Sequence, residues 1–377
     1  MAVQEADQAC GPTARRALSV GLMPSAIVRS ISSLVLVLPI ALAAQSCPQP
    51  ELHLLTQQAK IIQSALLGTK LADEMDESVP APLQLQIRAF KDALTSLADA
   101  AVRCGPANVD PKGIENSLAI LVATNKPQTQ EVYDPNKPPQ LDHIYGDNLV
   151  VKITRPASQA QLLLVEFNFG IDCGFDSLLL AYEYRDNEWK QALRWQNSTY
   201  DRVDAAFGDF FDYVVLPEQG PNGWRIAVAH GHPWCTSRWS GFDLDLIQPA
   251  SQRSAQVTLQ HIEHGYVRFE VEPTLKLVPD GFQIRLQTGM IDMDIMTRIG
   301  IYRYLVKENQ IERVQPIANN GRDFVDEWLQ SPWNDSARWS KVANLAQLEQ
   351  AHEKIAYLRD PNAKDQPLLT FGSVRGC

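Results

Sequence analysis

The sequence predicts an α+β protein: a predominantly antiparallel β domain, a sandwich- or propeller-like meander, flanked by an N-terminal helical hairpin and C-terminal helices. Three observations carry this. Before residue 125 and again after 319, apolar residues recur at spacings of three and four, the period of a helix face. Between Asn148 and Ala318 the period falls to two, that of a strand. Clusters of turn residues cut this middle region into about a dozen short runs, the spacing of sequential hairpins.

Residues 1–43 are expected to be a secretory signal peptide, with Met23 as an alternative start. The apolar run from Ile31 follows Arg29 and closes on Ala41-Leu42-Ala43, a small-x-small cleavage pattern. It is shorter than the ~20 residues that cross a bilayer, so it reads as removable, leaving no transmembrane span after cleavage. Glu5, Asp7 and Gly11-Pro12 interrupt the expected basic start, whereas a start at Met23 gives a compact leader directly before the run. The expected compartment is periplasmic or extracellular. There cysteines pair by default.

Residues 44–125 form the helical N-terminal region. Leu55, Ile62 and Leu66 beside Leu54, Ile61 and Ala65 make one stripe. Leu83, Ile87, Phe90, Leu94, Leu97 and Ala101 make a cleaner one, alternating fours and threes like a packing seam. Two helices of similar length with a short connection pack antiparallel, which sets Cys47 beside Cys104. A Cys47–Cys104 disulfide there would contribute roughly 4 kcal/mol in the chain-entropy model. Cys173 and Cys235 lie at strand edges and form the second expected pair, leaving Cys377 over. An alternative makes Cys47 a lipid attachment site, because Ala44-Gln45-Ser46-Cys47 faintly resembles a bacterial lipobox. Ala44 and Gln45 match that pattern poorly. Pro111–Val122 adds a third helix, and the Pro- and Asn-rich residues 126–147 read as a linker.

In the β domain, 148–318, strands are expected at Leu149–Ile153, Gln161–Phe169, Ser177–Tyr184, Trp189–Trp195 and Trp224–His230. Further strands are expected at Phe242–Ile247, Val267–Val271, Phe282–Thr288 and Ile299–Val306. Arg185-Asp186-Asn187-Glu188 and Pro279-Asp280-Gly281 are turn sequences between them. Residues 319–377 return to the helix period, with Arg322–Gln330, a start at Ser331-Pro332, and a last stripe of Val342, Leu345, Leu348, His352, Ile355 and Leu358.

The formal charge of −10 and the lack of a basic tract exclude nucleic-acid binding, whose affinity comes from phosphate neutralisation by Lys and Arg. His230 and His232, at i and i+2 on a strand, can present two imidazoles to one metal. A third donor is available from His261, Glu263 or His264, read as a turn. Asp243/Asp245 and Asp292/Asp294 put carboxylates on one strand face, a pattern that can serve glycoside hydrolysis or calcium. Asp201, Asp204, Asp209 and Asp212 sit among aromatics in a segment read as a loop. The simpler reading of each group is structural: polar caps, an alternating half-exposed strand, a solvated loop.

The chain has no Gly-x-Ser-x-Gly elbow, His-Glu-x-x-His, Walker loop or dinucleotide fingerprint, and no cofactor is expected. The expected function is an exported soluble binding or interaction protein whose ligand is a saccharide or a protein. The rival is a secreted metal- or carboxylate-dependent hydrolase acting on saccharides.

Overall fold

The computed structural model describes residues 49–69, 79–103, 105–106, 108–122, 145–171, 174–196, 210–217, 223–232, 239–250, 256–267, 271–290, 297–307, 310–314 and 318–354. All lie within one compact unit, Ala44–Cys377. The leader, Cys47, Cys104, Cys173, Cys235 and Cys377 lie outside the described residues, and with them the expected disulfides and lipid site. Asp292, Asp294 and residues 201–209 also lie outside them.

Three helices come first: α1 (Gln49–Leu67), α2 (Ala81–Arg103) and α3 (Pro111–Val122). The α2 seam is buried from Leu83 to Leu97, as its spacing requires, with Ala101 partly buried. In α1 only part of the apolar stripe turns inward. Leu66 is buried and Leu55 and Ile62 are partly so, but Leu54 and Ile61 remain 65 % and 71 % exposed. Gln63 is buried instead, its amide donating to the Gly146 carbonyl at 2.8 Å. At the start of α3 the Asp110 carboxylate accepts from the Lys112 and Gly113 amides, and Pro111 supplies a first position that needs no donor. No helix among the described residues is long and apolar enough to cross a membrane.

The β region is three four-stranded antiparallel meanders, each laid down in chain order and none closed into a barrel. The first comprises β1 (Val150–Thr154), β2 (Leu162–Ile171), β3 (Gly174–Arg185) and β4 (Glu188–Gln196). The second comprises β5 (Phe211–Leu216), β6 (Arg225–His232), β7 (Trp239–Pro249) and β8 (Gln256–Val267). The third comprises β9 (Thr274–Val278), β10 (Gly281–Gly289), β11 (Thr297–Lys307) and β12 (Gln310–Arg313). Each sheet is ordered like a propeller blade, while the sheets stack face to face as in a sandwich.

Three cores separate the layers. Phe90, Leu94 and Leu97 of α2 meet Val165, Phe167 and Leu180 on one face of the first sheet. Leu164, Leu179, Leu193 and Trp195 on its other face meet Ile226, Val228 and Ile247 of the second sheet. Phe242, Leu244, Leu246 and Tyr266 then meet Phe282, Ile284, Leu286 and Tyr304 of the third. Burial on both faces explains why Leu162–Val165 and Leu178–Ala181 are unbroken apolar runs without alternation.

Local chemistry sets the turns. Asp186 and Asn187 both have positive φ, 55° and 63°, the geometry of a two-residue type I′ hairpin joining β3 to β4. At Gly281 a Cβ would lie 1.9 Å from the Tyr304 carbonyl oxygen, so the residue must be glycine for β10 to reach β11.

Four strands, β5, β8, β9 and β12, have no counterpart among the sequence expectations. The segment His261–His264, expected as a turn, is the interior of β8, and Val267 ends that strand. Its run of His, Glu and Gln disfavours a strand locally, but pairing along β7 overrides that preference.

Three more helices close the described chain: α4 (Gly321–Gln330), α5 (Trp333–Trp339) and α6 (Leu345–Lys354). Asn320 caps α4 by accepting from the Asp323 amide at 2.9 Å. Ser331 ends α4, with its hydroxyl donating to the Glu327 carbonyl, and Pro332 is the cap residue of α5 rather than its first turn. Of the expected last stripe, Val342 and Leu345 are exposed, Leu348 is half-buried and His352 is buried, while Ile355 and Leu358 lie outside the described residues.

Candidate functional site

Register builds the site. On β6, Ile226, Val228 and His230 occupy the row facing the first sheet, while Ala227 and Ala229 face the third. His230 pairs with Asp243 on β7, and Asp245, two residues on, pairs with His261 on β8. Two imidazoles and two carboxylates from three neighbouring strands thereby fall on one face. From the first sheet, Trp195 on β4 closes over them, its ring centroid 5.0 Å from that of His230 and 5.1 Å from that of Phe211.

The contacts are graded. Asp245 is held on both oxygens: Oδ2 accepts from the Trp195 indole at 3.3 Å, and Oδ1 lies 2.7 Å from His261 Nδ1. His230 Nε2 lies 3.5 Å from Asp243 Oδ2 and 3.9 Å from Asp245 Oδ2. His261 Nε2 lies 3.7 Å from Asp243 Oδ1, so its ring is bracketed by the two carboxylates. Only His261 is open to solvent, its side chain 46 % exposed against 9 % for His230. A carboxylate fixed on both sides orients the exposed ring, the kind of support that holds a recognition or proton-transfer group in place.

Of His232 and His264 only the backbone register is described. His232 pairs with Gly241, two residues beyond the His230–Asp243 pair on β6. His264 pairs with Phe242, a residue of the row facing the third sheet, whereas His261 pairs with Asp245. The structure thus joins His230 to His261 and to the Asp243/Asp245 pair. Among the described residues no group of three or more His, Cys, Asp or Glu side chains is arranged to hold a metal ion. Trp195 was legible only as a strand residue, since nothing in its neighbours points to a partner fifty residues away on β7.

A second polar group lies in the interior between α2 and β3. Lys91 Nζ meets both oxygens of Asp176 at 2.7 Å, with both side chains fully enclosed. The Ser177 amide also donates to Asp176 Oδ1, at 2.8 Å. Burial pushes the Lys91 ammonium below its ordinary pKa, and the Asp176 charge opposes that shift. With no exposure, this pair joins the helical layer to the sheet and offers nothing to a ligand. A signal existed in the sequence: Lys91 lies four residues after Ile87 and three before Leu94, within the buried seam.

No family model matches the chain, and no curated protein or solved structure matches it either.

Proposed function

We propose that the protein is an exported binding or interaction protein of the periplasm or extracellular space, recognising a saccharide or protein ligand at the His261 end of the His–Asp group. The observation that carries the reading is the double engagement of Asp245, by the Trp195 indole on one oxygen and His261 on the other. It leaves an exposed imidazole rigidly placed, and pre-organised contacts lower the ordering cost of binding. Export rests on the apolar run of residues 31–43, with its small-x-small close at Ala41-Leu42-Ala43.

Titration of the purified protein with a glycan panel, followed through the histidine ring resonances, tests the site. At least one glycan should shift the His261 signals, and His261→Ala should abolish that binding while the fold persists. A panel without effect on those signals overturns the saccharide form of the reading. Fractionation of cells expressing the full chain tests export: a shortened product outside the cytoplasm is expected, and a full-length cytoplasmic protein overturns it.

A second reading rests on the convergence of Asp243, Asp245 and His230: a secreted carboxylate-dependent hydrolase acting on saccharides. Under it, Asp243→Asn abolishes turnover of a glycoside panel, whereas a binding protein shows no turnover to lose. The metal-dependent form requires stoichiometric zinc or copper in elemental analysis, lost on His230→Ala.

A further inference from the structure

The face of the third sheet turned away from the second carries positive charge that no contact within the fold absorbs. On β10 the inward row is Phe282, Ile284 and Leu286, so Gln283 and Arg285 point outward. Register places Lys276 of β9 and Arg303 of β11 on either side of Gln283. Arg285 takes the next outward position, between Thr274 and Ile301. Lys276 and Arg285 are exposed and Arg303 is half-buried.

Among the described residues no carboxylate pairs with Lys276, Arg285 or Arg303. Lys152, Lys190, Arg194 and Arg298, by contrast, each meet an acid. Arg303 Nη2 donates to the Pro279 carbonyl at 3.5 Å, a long bond that does not neutralise it. Glu312, which β12 places on the same face, is held by Lys307 at 2.5 Å and by Arg338 at 2.9 Å. The patch is therefore basic on a chain whose formal charge is −10. Like charges on neighbouring strands cost stability, and a bound anion removes that cost.

The arrangement selects among anions. Lys276 and Arg303 lie two strand spacings apart, roughly 10 Å, with the Gln283 amide between them. Two cations flanking an amide suit a polymer whose carboxylates alternate with hydroxyls. Three cations fall short of the clusters of about 4–8 that hold a protein on an anionic bilayer. Peptides gain most from main-chain pairing at a sheet edge or from a groove, and a sheet face offers neither.

We propose that this face binds an acidic polysaccharide, a uronate chain, with carboxylates on Lys276, Arg285 and Arg303 and a hydroxyl on Gln283. The two guanidinium groups present planar forks that match a carboxylate. The site is separate from the His–Asp group, which lies on the face of the second sheet toward the first, so either can fail alone.

Isothermal titration of the full chain with polygalacturonate at low salt tests the proposal. Binding is expected that weakens as salt is raised, with none to neutral dextran. The triple variant Lys276→Gln, Arg285→Gln, Arg303→Gln should weaken it at least about tenfold. A control triple at exposed positions elsewhere, Lys60→Gln, Lys341→Gln, Lys354→Gln, makes the same change in net charge and should stay within about twofold. His261→Ala should leave binding unchanged. No binding of polygalacturonate overturns the proposal, and so does equal weakening by the two triples or a loss with His261→Ala. Tighter binding of polyglutamate or of phosphatidylserine vesicles than of polygalacturonate overturns it as well.

Discussion

Lys91 on α2 and Asp176 on β3, far apart in the chain, meet at 2.7 Å where neither is touched by solvent. The pair fixes the helical layer on the first sheet at one register. Lys91→Met strands a buried carboxylate and should cost roughly 3–5 kcal/mol, whereas Lys91→Met with Asp176→Leu should return to near or above the starting stability. Urea unfolding of the three proteins measures this. A double variant as unstable as the single one would show that the pair is needed for more than mutual compensation.

Asp212 on β5 links the second sheet to the third, accepting from the Leu275 amide at 2.9 Å. Burial raises its carboxyl above the ordinary 3.8, and the Leu275 and Tyr213 amides oppose the shift. A carboxyl that binds its proton more tightly when folded stabilises the fold most below its unfolded pKa, and that contribution is lost as pH rises through the folded value. Asp212→Asn removes the titration and keeps one oxygen for the Leu275 amide, at the loss of the second acceptor, which the Tyr213 amide uses. That loss is independent of pH, so the stability of the variant relative to the original should rise as pH increases from about 4 to 7. Thermal unfolding across that range reads the sign directly.

Arg298 on β11 holds α4 through two bonds of 2.7 Å, one to Asp326 and one to Glu327, in a buried setting. Arg313 also pairs with Glu327 and lies over the Tyr302 ring, 4.4 Å from its centroid. Arg298→Met should destabilise by roughly 3–5 kcal/mol, because both carboxylates lose a partner in the interior. Arg298→Lys should rescue little, since one ammonium cannot reproduce a planar fork aimed at two acceptors. Denaturant midpoints of the two variants should lie close together.

Trp195→Phe keeps an aromatic ring over His230 and deletes the donor to Asp245. The stability loss should be about 1 kcal/mol, that of one net hydrogen bond. The ring resonances of His261 should move, because the carboxylate that orients it is released. Unchanged His261 signals would show that the indole plays no part in placing the imidazole.

The sequence by itself determined the helical, β and helical order, the α2 seam, α3 and the hairpin at Asp186-Asn187, because these depend on residues a few positions apart. Periodicity and turn preference act at that range. It missed β8 because His261–His264 has no strand character without β7 beside it. Which apolar positions of α1 turn inward was likewise invisible: the buried face runs through Thr56, Ala59, Gln63 and Leu66, with the Gln63 amide donating to the Gly146 carbonyl, and Ile61 lies on the opposite face. The meeting of His230, Asp243, Asp245 and His261 under Trp195 was decided only by strand register and sheet stacking. Such contacts join residues far apart in sequence, and no local pattern encodes which faces will come together.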